Sequence, residues 1–78
     1  MAHTDGVLEH MEVIGSDGKH VGTVDHMEGK DRIKLTKTDP MAKGQHHFIP
    51  VDWIDHVDSH VHLNKSSTDA VAQWQAAA

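Results

Sequence analysis

Histidine supplies most of the chemistry legible in this chain. Nine of its 78 residues are histidines: His3, His10, His20, His26, His46, His47, His56, His60 and His62. They do not form the unbroken run of a purification tag. His60 and His62 are two apart on an expected strand, so both rings project to one side. His56 precedes them across an Asp58-Ser59 turn, and His46 or His47 adds a ligand if their strand lies alongside. Imidazole suits zinc, copper or nickel, and a closed zinc site takes four ligands. The candidate metal ligands are therefore His56, His60 and His62, with Asp58 or Asp55 able to complete the set. Against this stands the patterning of Val61 and Leu63. They claim the buried face and leave His60 and His62 on the solvent face, where histidine is an ordinary polar residue. The sequence calls for no cofactor.

The same histidines suggest a response to pH. With an unperturbed pKa of about 6.5, they gain charge as the solution is acidified. The formal net charge of −5 then moves toward zero, which would alter association or solubility; titration without consequence is the simpler reading. Catalysis is not expected. Asp25-His26 and Asp55-His56 place acids beside histidines, but neighbouring strand residues point to opposite faces, which argues against an Asp-His relay. Ser16, Ser59, Ser66 and Ser67 fall in turns or at a helix start, where serine is common. Gly15-x-x-Gly18 reads as a hairpin turn, not a phosphate loop.

The elements that must position these side chains are mostly strands. A polar lead-in covers residues 1–6, and a single domain covers 7–78. Val7 to Ile14 is the first expected strand, with Met11 and Val13 on one face. Gly15-Ser16-Asp17-Gly18-Lys19 is a hairpin turn. His20 to Met27 returns, but Val21, Val24 and Met27 are three apart, so a bulge or bend near Gly22 is needed to keep them on one face. Arg32 to Thr38 alternates cleanly, with Ile33 and Leu35 inward. A loop with Pro40 and Gly44 leads to a strand over His46 to Val51. Val51, Ile54 and Val57, again three apart, suggest a helical turn begun by Asp52. His60 to Asn64 is the last expected strand. Ser66-Ser67-Thr68-Asp69 has the form of a helix start, and a helix is expected over 67–77.

Two segments carry a family resemblance. The run Val13-Ile-Gly-Ser-Asp-Gly-Lys-His-Val-Gly-Thr-Val-Asp-His-Met27 resembles the opening hairpin of PRC-barrel-like domains. The run His46-His-Phe-Ile-Pro-Val-Asp-Trp-Ile-Asp-His-Val-Asp58 resembles their later segment, in which an Ile-Pro element precedes a Trp. From about Val7 to Trp74 the chain is similar to a family of small, uncharacterised bacterial proteins of this architecture. PRC-barrel-like domains include the cytoplasmic domain of the photosynthetic reaction-centre H subunit and a domain of a ribosome-maturation factor. The resemblance implies a mainly β fold, a small and strongly bent antiparallel barrel with a short C-terminal helix, used for docking or assembly. It implies no catalytic residue.

Size and composition bound the rest. A chain this short buries only about 60% of its unfolded surface, and self-association is a common remedy. Pockets for small molecules run to roughly 300 Å³ or more, and a deep one is not expected in so small a domain. There is no cysteine, which removes disulfides and thiolate chemistry and agrees with a cytoplasmic setting. The seven basic residues are scattered among acids, so no cationic face for nucleic acid is expected. No apolar run reaches the roughly 20 residues of a membrane span. The expected role is a non-enzymatic docking module, a homodimer that also meets an unknown protein partner. Its expected apolar anchors are Phe48, Ile49, Trp53, Val71 and Trp74. The alternative is a histidine-based metal-binding or metal-buffering protein.

Overall fold

The computed structural model describes residues 6–76. Most of the expected lead-in over 1–6, and residues 77–78, lie outside them. The strands are β1 (Glu12–Ile14), β2 (His20–Glu28), β3 (Arg32–Leu35), β4 (His47–Pro50), β5 (Ile54–Val57), β6 (Val61–Leu63) and β7 (Gln75–Ala76), with helix α1 (Ser67–Gln73) between the last two. Short 3-10 turns cover Pro40–Ala42 and Val51–Trp53. The strands form one sheet in the order β5-β6-β1-β2-β3-β4-β7.

The sheet folds over on β2, which pairs with β1 along its first half and β3 along its second. The odd spacing of Val21, Val24 and Met27 has the expected cause. Val13 pairs with Gly22 and Ile14 with His20, which leaves Val21 as an extra residue. A second bulge follows, since Val24 pairs with Leu35 and His26 with Lys34, leaving Asp25 extra. Each bulge adds twist. Gly22 is buried in the bend, and a Cβ there would sit 3.1 Å from Leu35 Cδ1. Val13, Val21, Val24, Ile33, Ile49 and Val61 fill the core between the two halves.

Three expectations need correction. The sheet does not close into a barrel: among the described residues β5 pairs with β6 alone and β7 with β4 alone, so both remain edges. After α1, the Trp74 ring stacks on His47 of β4, with centroids 4.0 Å apart, and this holds β7 on β4. The sheet is also not wholly antiparallel, because β1 and β6 run parallel. The helix ends at Gln73 rather than at residue 77.

Other boundaries moved for local reasons. The first strand begins late because His10 takes a left-handed φ of 69°, a conformation few non-glycine residues adopt. The helical turn at Val51 exists, but Ile54 and Val57 belong to β5. Their spacing of three comes from a bulge at Asp55, since Ile54 pairs with Leu63 and His56 with His62.

The opening hairpin is pinned to the helix start. Ser66 caps α1 through the Asp69 amide, as its sequence pattern suggests. Asp17 then reaches across the fold and accepts from the Ser67 amide at 3.2 Å and the Ser67 hydroxyl at 2.9 Å. Ser16 N donates to Lys65 O. Gly15 is the point of closest approach, because a Cβ there would lie 2.4 Å from the Ser67 nitrogen. Backbone cannot yield as a side-chain tip can. Gly15→Ala is therefore expected to destabilise the fold by about 1–3 kcal/mol, read as a lower urea midpoint with an unchanged slope.

Candidate functional site

Two regions bring together side chains with chemical potential: a histidine face on β5-β6-β1-β2 and an apolar cleft at β4-β7. The histidine face follows from register. His62 pairs with His56 on one side and with Ile14 on the other, and Ile14 pairs with His20. Residues paired across strands share a face, so these stand together outside the core, while Val61 and Leu63 point inward.

His20 is the most constrained of the set. Its Nδ1 donates to Glu12 Oε2 at 2.7 Å and its Nε2 to Asp39 Oδ2 at 2.6 Å. Only the imidazolium donates at both nitrogens. Partial burial pushes its pKa down, but the two carboxylates outweigh that and the net shift is upward. Asp39 is 7% exposed and almost fully bonded. Thr23 Oγ1 donates to it at 2.7 Å and the Met41 amide at 2.8 Å. Burial raises its pKa, while the bonds from Thr23, Met41 and His20 together hold it below the usual carboxylate value. The second Glu12 oxygen lies 3.2 Å from His60 Nε2.

The expected metal ligands separate. His56 and His62 stack with ring centroids 4.1 Å apart. His60 stands edge-on to His62 at 6.1 Å and turns toward Glu12. Asp58 takes its place: Oδ1 accepts from His62 Nε2 at 2.8 Å and from the His60 amide at 2.8 Å. These bonds, led by that amide, lower the Asp58 pKa. His46 donates to the Leu35 carbonyl on β3, and His47 lies buried under Trp74.

At both bulges strand alternation does not separate acid from histidine, contrary to expectation. His56 Nδ1 donates to Asp55 Oδ2 at 2.9 Å, and His26 Nδ1 lies 3.6 Å from Asp25 Oδ2. In a bulge the extra residue turns to the same side as its neighbour. The signal was present in the sequence as apolar residues spaced by three.

The expected apolar anchors also divide. Phe48 and Trp53 line a cleft of about 340 Å³ with Arg32, Pro50, Gln73 and Gln75, a volume the chain's small size did not preclude. The Arg32 guanidinium sits 4.2 Å from the Phe48 ring centroid. Ile49 alternates inward and is fully buried. Trp74 packs on His47, on the other face of β4 from Phe48, and lines a separate hollow with Val71 and Met41.

Residues 7–71 match the model of a family described as an uncharacterised protein conserved in bacteria, DUF2171. The chain belongs to that family. No curated protein matches it, and no solved structure does. Among the described residues of this DUF2171 member, no helix is long and apolar enough to cross a membrane.

Two histidines give opposite pH signatures. The raised pKa of His20 contributes stability that is full below about pH 6.5 and lost as pH rises through its folded value. His47 is the reverse. Burial lowers its pKa, with a backbone bond at Gln45 offsetting part. Its contribution is present above about pH 6.5 and lost on acidification. Melting curves across this window should show His20→Gln flattening the alkaline decline and His47→Phe flattening the acid decline. Identical slopes in wild type and both variants would refute the assignment.

Proposed function

We propose that this protein is a non-enzymatic cytoplasmic docking module that self-associates as a dimer, through the β7 edge and the adjoining Phe48–Trp53 cleft. The observation that carries this reading is the contrast between the two sheet edges. At β5 the edge bears Asp55 and His56, and Asp58 follows directly. Charges of this kind protect an edge against strand addition. At β7 the edge consists of Gln75 and Ala76, both exposed and neutral. Beside it lies the cleft lined by Phe48, Pro50 and Trp53. A second copy, added by strand pairing across a two-fold axis, would extend the sheet and cover the aromatic rings at once. Val71 and Trp74 take no part, because they lie on the other face of β4.

The resemblance to PRC-barrel-like docking domains supports the same reading, although this sheet is open. So does the state of the polar groups. Ser59 Oγ lies 3.1 Å from His60 Nδ1, and Glu12 is at the other nitrogen, which gives the connectivity of a hydroxyl–imidazole–carboxylate series. Ser59 is exposed on a turn, and such a series needs a water-excluding site to act as a nucleophile.

Light scattering and sedimentation of the untagged chain are expected to give a dimer. Gln75→Lys combined with Ala76→Lys places like charges on the neutral edge and should shift the chain to a folded monomer, with an unchanged circular dichroism spectrum and a melting temperature that no longer depends on concentration. A wild-type monomer throughout the concentration range, or a dimer indifferent to the two lysines, would overturn the reading.

A further inference from the structure

The geometry points to a binding site for a divalent late transition-metal ion, of the zinc, copper or nickel class, formed by His56, Asp58 and His62. It lies on β5 and β6, at the other end of the sheet from the β7 edge, and it does not depend on self-association.

Three elements build it. The β5 bulge at Asp55 turns His56 outward, and register places His62 opposite it on β6. The turn between the strands supplies Asp58. Its backbone amide donates to the His60 carbonyl, and its carboxylate accepts the His60 amide in return. That reciprocal pair fixes the carboxylate beneath the rings, with Oδ2 3.9 Å from His56 Nε2 and Oδ1 2.8 Å from His62 Nε2. One donor atom from each residue falls within 4.8 Å of the other two. Ligands on a common zinc ion at about 2.1 Å stand roughly 3.4 Å apart in tetrahedral geometry. Small side-chain rotations close that difference, because His56 and Asp58 are exposed and His62 is partly so.

The surroundings of His56 supply an independent observation. A metal-bound histidine usually donates its other ring nitrogen to a carboxylate, which fixes the tautomer and makes the ligating nitrogen more basic. Asp55 Oδ2 accepts from His56 Nδ1 at 2.9 Å. That bond leaves the Nε2 lone pair available to a metal, 3.9 Å from Asp58 Oδ2. His62 Nε2 gives up the proton it donates to Asp58 when a metal binds, whereas His60 Nε2 faces Glu12 and lies outside the cluster.

Two imidazoles and one carboxylate select for late first-row divalent ions over magnesium or calcium, which prefer all-oxygen shells. Three protein ligands leave at least one coordination position for water or an outside ligand. There is room for it in an open hollow of about 260 Å³ beside the rings, bordered by Ile14, Ser16 and Gly18. Such an open site suits exchangeable binding rather than a permanent structural ion.

The test is calorimetric titration of zinc chloride into the full-length, tag-free chain. One saturable zinc ion per chain is expected. His62→Gln and Asp58→Asn should each weaken it at least about tenfold, and Asp55→Asn by about 10-fold to 100-fold through the second carboxylate alone. The double variant His26→Gln, His46→Gln removes two histidines elsewhere and should leave affinity unchanged. Nitrogen-15 spectra of the wild-type imidazoles provide a readout free of folding effects: zinc should shift Nε2 of His56 and His62 and leave His26 unmoved. Absence of saturable binding, binding indifferent to His62→Gln, or shifts spread evenly over the histidines would each overturn the site.

Discussion

The fold depends on one strand serving two half-sheets. β2 pairs with β1 at its start and β3 at its end, and between these it must turn sharply. Two bulges and a buried glycine make the turn, and Leu35 packs into the space a Gly22 side chain would fill. Without that bend, the apolar faces of β1-β6-β5 and β3-β4, which together form the core cluster, would not meet. The bend also explains why Val21 and Val24 are both buried although three residues apart.

The bulges have a second consequence on the outside of the sheet. Regular alternation separates adjacent side chains; a bulge brings them to one side. At Asp55 this turns an acid onto a neighbouring histidine, and at Asp25 it does so more loosely. The outer face of β5-β6-β1-β2 thereby becomes a chain of carboxylates and imidazoles from Asp55 to Asp39. Its inner end is a buried carboxylate with a charged histidine, and its outer end is an exposed set of potential metal ligands. The two ends differ in burial: the inner end is held within the fold and the outer end lies open to solvent.

A further long-range constraint joins the opening hairpin to the start of α1. Asp17, in the turn after β1, accepts from the first residue of α1, fifty positions later. Burial acts to raise its pKa, but the Ser67 hydroxyl and the backbone amides outweigh it and the net shift is downward. This contact orients α1, and α1 in turn delivers Trp74 to His47 and leaves β7 as an open edge.

Features that depend on neighbours along the chain were legible in the sequence. The hairpin at Asp17-Gly18, the inward residues of β3, the bend near Gly22 and the Ser66 cap are all set by local backbone preference and by apolar periodicity, which act over a few residues. The other features come from contacts between segments far apart in the chain. Spacing by three at Val51, Ile54 and Val57 fits both a helical turn and a bulged strand, and only pairing with β6 selects the strand. The parallel match of β1 with β6, the open sheet, the exchange of His60 for Asp58, and the separation of Trp74 from Phe48 all rest on contacts between distant segments. Side-chain chemistry fixes which groups can bind a proton or a metal; the register between strands fixes which of them meet.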